Sequence, residues 1–302
     1  MRALGPKSWE VTPADVALPR RRRESHKGDY GRVCILGGSV GYTGAPILAA
    51  RAAVRTGAGL VTLLTPEPVW SVAAAKLDCA MPWPLPAEEG TLSCKALEPA
   101  LEKLSAADAA LIGPGLSRRD SAAKVVRKLV SALACPLVLD ADGINALEGH
   151  IDVLDARRDR LTVLTPHDGE FARLGGDLRD GNRVATARAF ASAHGCVLVL
   201  KGHRTVTAFP DGKVYVNTTG NPGMAKGGSG DVLAGMIVSL LAQGFDPQKA
   251  VAWAVWIHGA AGDTAAEMLG EYAMTPLDLL SCLPEVLKEA EDRGMEGTGR
   301  KE

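Results

Sequence analysis

The residues most able to do chemistry lie between Gly220 and Gly235, in GNPGMAKGGSGDVLAG. Five glycines and a proline precede a nearly unbroken apolar run, Val232 to Leu241. Glycine admits positive φ and lets a ligand come close to the main chain. A helix opening directly after Gly227, Gly228, Ser229 and Gly230 leaves its first N–H groups unpaired and its positive dipole end exposed. That combination suits phosphate or another oxyanion. Asp231 stands in its middle, where a carboxylate competes with an anion unless it takes a proton beside it. The motif by itself also admits a plainer role, an N-terminal helix cap.

Such a cradle needs a scaffold, and the rest of the chain repeats one pattern. AALIGPG (109–115), PLVLDADGIN (136–145), TVLTPHDGE (162–170) and CVLVLKGHRT (196–205) are short apolar runs ending in glycine, aspartate, histidine or lysine, with helical stretches between them. Continuous apolar strands alternating with helices imply a mostly parallel sheet covered on both faces. Ligands then gather at the carboxyl ends of the strands, where the strand order switches. Gly115, Asp140, Asp142, His167, Glu170 and Lys201 all fall at such ends. Asp140 and Asp142 read as caps of the following helix. Lys226 reads as a solvated neighbour of phosphate.

Upstream, the sequence predicts a strand at 32–37, a small-residue helix at about 45–56 and a strand at 60–65. The intervening GGSVGYTG fits neither the dinucleotide fingerprint nor a phosphate-binding P-loop. It either lines a pocket or makes a tight turn. Residues 78–104, with scattered prolines and acidic groups, suggest one helix and are otherwise uninformative. Downstream, 205–217 reads as a hairpin turning at Asp211-Gly212. Two or three helices follow, one opening at Asp246-Pro247 with good cap chemistry. The first residues, about 1–24, read as an N-terminal lead, and EDRGMEGTGRKE at 291–302 as a frayed tail. No linker divides the chain, so 1–302 is expected to be a single domain.

Composition excludes several classes. Lys+Arg 34 against Asp+Glu 35 leaves a net charge of -1, which gives no bulk field for nucleic acid or an anionic membrane. Aromatic residues are only 4%, too few for a base-stacking surface. Cys34, Cys79, Cys94, Cys135, Cys196 and Cys282 form no CxxC pair; Cys34 and Cys196 sit in apolar runs, as buried thiols do in reduced proteins. No apolar run spans a bilayer, and Arg20–Arg23 is followed by polar ESHKGDYG rather than a signal-peptide core. The arginines read as a solvated strap or a subunit contact, and the protein as soluble and cytoplasmic.

With these pieces in order, the sequence resembles the ADP-dependent NAD(P)H-hydrate dehydratases of the ribokinase-like superfamily. The resemblance spans about 24–285 and rests on HKGDYGRV, GGSVGYTGAPILAARAAVRTGAGLV, GPGL, LDADGINAL, TPHDGEF, KGHRT and NTTGNPGMAKGGSGDVLAG. It implies an α/β/α sandwich that converts the S epimer of hydrated NADH or NADPH back to the reduced cofactor, using ADP (or ATP) and releasing AMP and phosphate. By the same resemblance, Asp231 is the general base that takes the hydroxyl proton, and the Gly227–Gly230 N–H groups stabilise the transferred phosphoryl group. Ala45, Gly115 and His167, with Asp231, contact the hydrated nicotinamide nucleotide, though His167 after Pro166 also suits a turn. Lys201, Gly202, His203, Arg204, Thr205 and Gly230 hold the nucleotide. Glu170 stands where the superfamily keeps a carboxylate for Mg²⁺-bound phosphate or its water, an ion with few protein ligands. The resemblance further implies a homotetramer. Many family members carry an epimerase domain ahead of this one; none is expected here, so a separate epimerase or spontaneous epimerisation is expected to supply the epimer.

Two other readings fit parts of the same sequence. A vitamin-precursor kinase of this superfamily would keep GGSGD and Asp231, but the ordered TGA, GPG and PHDGE motifs speak against it. A catalytically silent nucleotide-binding regulator would not need Asp231.

Overall fold

The computed structural model describes residues 1–298. Among the described residues thirteen strands form: β1 (Arg2–Gly5), β2 (Ser8–Glu10), β3 (Arg32–Leu36), β4 (Leu60–Pro66), β5 (Met81–Leu85), β6 (Ala87–Glu88), β7 (Thr91–Leu92), β8 (Ala109–Ile112), β9 (Leu137–Leu139), β10 (Thr162–Leu164), β11 (Val197–Leu200), β12 (Val206–Ala208) and β13 (Val214–Val216). Eleven build one sheet in the order β1-β2-β13-β12-β11-β10-β9-β8-β3-β4-β5, and β6 and β7 pair separately. From β5 to β11 every neighbour is parallel; β12 runs antiparallel to both β11 and β13.

The period of two along each strand feeds two cores. Val33, Ile35, Leu63, Leu111, Val138, Val163 and Val199 face one side, against the helices Gly44–Arg55, Ser229–Ala242, Pro247–Ala273 and Pro276–Thr298. Cys34, Leu36, Leu64, Ile112, Leu139, Leu164 and Leu200 face the other, against the helices Leu97–Ser105, Asp120–Ala132 and Arg183–His194. A sheet buried on both faces needs apolar residues at consecutive positions, which is why these strands read as unbroken apolar runs. The order switches at β3, which has β4 on one side and β8 on the other. Gly37 and Gly38 leave its carboxyl end there, and a Cβ on Gly37 would lie 2.5 Å from the Pro114 carbonyl.

Within the first core, the Ser229–Ala242 helix is buried nearly all round and lies against Gly44–Arg55. Gly235 permits that approach: a Cβ there would sit 2.2 Å from the Ala49 carbonyl oxygen.

Two expectations need correction, and one uninformative region resolves. The N-terminal lead is not a lead: β1 and β2 form an antiparallel ribbon, and β2 extends the sheet by pairing parallel to β13. Val11, Val16 and Leu18 behind it are buried. Region 78–104 contributes the edge strand β5, MPWPL, as well as the expected helix; Pro82 and Pro84 are tolerated because an edge strand has one side free of ladder bonds. The tail is helical through Thr298, where the Pro276–Thr298 helix is docked by Arg293 Nε donating to the Val16 carbonyl at 3.0 Å. Residues 299–302 of that segment lie outside the described residues.

The hairpin and the helix opening at Asp246-Pro247 form as expected. Gly212 turns the hairpin with φ +82°, and Asp246 Oδ1 accepts from Gln248 N and Lys249 N. In the arginine run, Arg21 lies 3.8 Å over the Tyr30 ring and donates to Gly57 O, a tied strap. No described helix is long and apolar enough to cross a membrane.

Candidate active site

The glycine-rich loop enters the Ser229–Ala242 helix through Gly228, whose φ of +106° is left-handed backbone. Gly228 is therefore the cap residue, and Asp231 is third in the helix. The capping role considered for Asp231 is not the one it takes. A Cβ on Gly228 would also press on Leu48 and Pro276, 2.7 and 3.0 Å away, while Gly227 faces open space. The Ser229 N–H donates to the Lys226 carbonyl at 3.3 Å, and the N–H groups that follow it in the first turn have no intrahelical acceptor.

Asp231 lies among charged groups delivered by three neighbouring strand ends. Lys201, after β11, donates through Nζ to Asp140 Oδ1 at 2.9 Å and lies 3.8 Å from Glu170 Oε2. Asp140, after β9, is 2% exposed and also accepts from Thr165 Oγ1 at 2.7 Å. Gly230 presents its bare Cα to this group: a Cβ there would be 3.2 Å from Lys201 Nζ. Burial, reinforced by the negative charges of Asp140 and Glu170 and opposed by Lys201, pushes the Asp231 carboxyl up to about 7. Burial alone would lower the Lys201 ammonium, but Asp140 and Glu170 outweigh it and raise it. One buried cation among three carboxylates leaves one carboxyl poised to exchange a proton near neutrality, which is what a general base requires.

Asp140 is consequently not a helix cap, as its sequence position suggested. The residue after it, Ala141, takes φ +48°, ψ −116° without being glycine, a strained turn of the kind that accumulates at functional sites. Asp142 does not cap either. Its Oδ2 accepts from Ser117 N at 2.8 Å and so ties down the Gly-Pro-Gly loop. Gly115 in that loop meets the GGSVGYTG turn, for a Cβ on it would be 2.6 Å from Tyr42 O and 3.4 Å from the Ala45 methyl. Ala45 and Gly115, far apart in sequence, thus form one wall, and Leu48 links it to Gly228.

His167 makes the turn that its sequence position allowed. Its Nδ1 accepts from Gly169 N at 3.0 Å and Glu170 N at 3.3 Å, while Glu170 Oε2 accepts from His167 N at 2.9 Å. This reciprocal cap fixes the buried Glu170 carboxylate and leaves the His167 ring about half exposed, with Nε2 3.5 Å from Glu170 Oε1. Beyond Lys201, the Gly202–Thr205 loop borders a shallow groove lined by Asn182, Arg183, His203, Arg204, Val206 and Val216. Arg204, at φ +56°, pairs with Glu10 of β2, and Arg183 braces the loop by donating to the Lys201 carbonyl at 2.9 Å.

Lys226 departs from expectation. Rather than standing solvated near phosphate, its Nζ donates to the carbonyls of Glu271, Tyr272 and Met274. The helix breaks there at Gly270 (φ +77°), so those carbonyls lack helical donors and a cation satisfies them. Three further supports escaped the sequence reading. Asp263 accepts from Gly220 N and Asn221 Nδ2 at 2.9 and 3.0 Å. Thr219 Oγ1 donates to Trp256 O at 2.8 Å. His258 Nε2 lies 2.9 Å from Ser229 O. The clue lay in WIHGAAGD: a histidine and an aspartate within an otherwise apolar helix need polar partners.

Among the described residues, no group of three or more His, Cys, Asp or Glu could by itself hold a metal. The pair Asp140 and Glu170 matches the donor chemistry of a magnesium ion that arrives on phosphate oxygens and needs few protein ligands.

A family model described as NAD(P)H-hydrate dehydratase matches residues 33–285. The chain is 48% identical over 279 residues to the bifunctional NAD(P)H-hydrate repair enzyme Nnr of Moorella thermoacetica, covering 91% of this chain and 52% of that protein. It therefore spans about half the length of the bifunctional relatives it matches. It is 37% identical over 286 residues to the ADP-dependent (S)-NAD(P)H-hydrate dehydratase of Bacillus subtilis, covering 94% and 98%. The crystal structure of the ADP/ATP-dependent enzyme from Bacillus subtilis, co-crystallised with ATP/Mg2+, superposes with TM-score 0.76 at 33% identity, covering 92% of this chain and 96% of that one. The expected ribokinase-like α/β/α architecture stands, and the chain belongs to the NAD(P)H-hydrate dehydratase family.

Proposed function

We propose that this protein dehydrates the S epimer of hydrated NADH or NADPH at the expense of ADP, returning the reduced cofactor with AMP and phosphate. The observation that carries the reading is Asp231 at the mouth of the glycine cradle, its carboxyl held up to about 7 beside Lys201. Hydroxide leaves poorly, so the hydroxyl is first phosphorylated. Asp231 takes the hydroxyl proton as that oxygen bonds to the terminal phosphorus of the nucleotide, and AMP departs with the bridging oxygen's electrons. Phosphate then leaves with the C–O electron pair, and loss of a proton from the adjacent ring carbon restores the double bond. The Gly227–Gly230 N–H groups and Lys201 balance the charge spreading over the phosphoryl oxygens.

Ala45, Gly115 and His167 face the hydrated nicotinamide nucleotide, while Gly202–Thr205 and Gly230 hold the donor. Asp140 and Glu170 would hold Mg²⁺ through phosphate or water, and the ion when bound offsets phosphate charge. Epimerisation, spontaneous or enzymatic, feeds the other epimer into the reaction. The active form is a homotetramer working in the cytoplasm; the exposed apolar residues Val40, Tyr42, Trp70 and Trp83 support a subunit contact.

The deciding assay incubates the protein with hydrated NADH, Mg²⁺ and either ADP or ATP, following reduced-nicotinamide absorbance and phosphate release. Absorbance that returns only with nucleotide, with AMP and phosphate accumulating from ADP, is the expected result. No return with either donor overturns the reading and favours the vitamin-precursor kinase.

A further inference from the structure

His258 is a buried titratable group that none of the chemistry above uses. It projects from the Pro247–Ala273 helix, is 9% exposed, and places Nε2 2.9 Å from the Ser229 carbonyl oxygen. A carbonyl can only accept, so the ring must carry its proton on Nε2 and donate. Burial, ahead of the Lys201 charge, pushes its pKa down to about 4, so the ring stays neutral in ordinary buffers.

What this bond holds is the peptide unit itself. The Ser229 C=O and the Gly230 N–H belong to one planar trans peptide, so fixing the oxygen fixes the direction of the N–H. In a helix that N–H points back along the axis toward the N-terminus, here into the cradle. Gly230 is also the residue whose bare Cα faces Lys201 Nζ. A donor on the oxygen polarises the peptide and makes its N–H a better donor in turn, as in any chain of hydrogen bonds. Helix carbonyls have a partner four residues on, so the histidine is an addition that helix geometry does not demand.

We infer that His258 is a positioning residue for phosphoryl transfer: through Ser229 O it aims and strengthens the Gly230 N–H that receives the transferring phosphate. This rests on the proposed function, since it assigns Gly230 N–H a phosphoryl group to receive. Partners that orient metal-binding side chains alter activity ten- to a hundredfold on mutation; on the lower end of that scale, His258→Leu, which removes the donor, should lower kcat by about tenfold. The KM for hydrated cofactor should stay within about twofold, because the Ala45–Gly115 wall is untouched.

The test compares His258→Leu with His258→Gln, whose amide nitrogen extends about as far from the backbone as Nε2. Thermal unfolding and ADP affinity by calorimetry are read alongside turnover. Expected is a kcat loss in the leucine variant that the glutamine variant largely restores at matched thermal stability. Should the leucine variant not fold, His258→Asn, too short to reach Ser229 O, takes its place in the comparison. Wild-type turnover with an unchanged kcat in the donor-less variant overturns the inference alone. So does an equal loss in both variants that tracks their unfolding temperatures. A wild-type protein without turnover or ADP binding overturns the functional reading and the inference together.

Discussion

Replacing Asp231 by asparagine should produce a protein that is both more stable and inactive. Folding carries this carboxyl from an ordinary value of 3.8 to about 7, a change of about three pKa units. Each unit corresponds to about 1.36 kcal/mol, which puts the ceiling near 4 kcal/mol. The sign follows from where the proton resides. Between pH 3.8 and 7 the unfolded chain has lost it and the folded chain retains it, so stability falls as pH rises through that window and the loss is complete above 7. Asparagine keeps the shape and cannot ionise, so it recovers that loss. Its advantage should be near zero below pH 3.8, reach about 1.6 kcal/mol by pH 5, grow through pH 6 and level off above pH 7. At about 2 °C per kcal/mol for a chain of this length, the plateau gain is roughly 4–8 °C in Tm. Thermal unfolding of both proteins without ligand, at matched ionic strength across that pH range, measures it. Turnover should fall by about a hundred- to ten-thousandfold, the usual contribution of a general base. A variant that is no more stable than wild type at pH 8, or one equally stabilised at every pH, would refute the electrostatic reasoning. Near-normal turnover would refute the assignment of the base.

Other outcomes follow from the same geometry. Lys201→Ala leaves Asp140 buried without its cation and should cost about 3 kcal/mol of stability in denaturant titration. In steady-state kinetics it should raise the nucleotide KM first; an effect confined to the hydrated-cofactor KM would contradict the placement of Lys201. Gly235→Ala gains about 1 kcal/mol of helix propensity, but its methyl would meet the Ala49 carbonyl at 2.2 Å, so a net loss of about 2 kcal/mol is expected by urea unfolding. A neutral result there would mean that the two helices can part at no cost. Burial raises the thiols of Cys34 and Cys196 to about 12, whereas Cys79 and Cys94 are exposed. A thiol reagent near pH 8 should therefore modify Cys79 and Cys94 in the native protein and reach Cys34 and Cys196 only in denaturant.

What the sequence revealed tracks how local each cause is. The strand ends carrying Gly115, Asp140, His167 and Lys201 were legible because an apolar run followed by a turn residue is a local signal. The cradle and the Asp211-Gly212 hairpin were legible for the same reason. The ribbon β1–β2 was not, for its strands are three or four residues long and its partner β13 lies about two hundred residues away. Strand β5 was hidden by Pro82 and Pro84, which break most strands but not an edge. Asp140 read as a cap because its partner Lys201 is distant in sequence, and only folding shows that the two are 2.9 Å apart. Lys226 misled through proximity: a cation beside an anion cradle invites a phosphate, yet three orphaned carbonyls at a helix break claimed it first.

The place of β2 also bears on the order of assembly. Its partner β13 and the Arg204 that closes on Glu10 are synthesised about two hundred residues later, so this edge of the sheet cannot close until most of the domain exists. Closing so long a loop costs little more entropy than closing one half its length, but it is slow because the intervening strands must already be in register. The Gly202–Thr205 loop is thus braced by a contact that joins residues about two hundred apart. A molecule caught before that step would hold the parallel strands β3 to β11 together while Arg204 lacked Glu10 and the Gly202–Thr205 loop stayed slack.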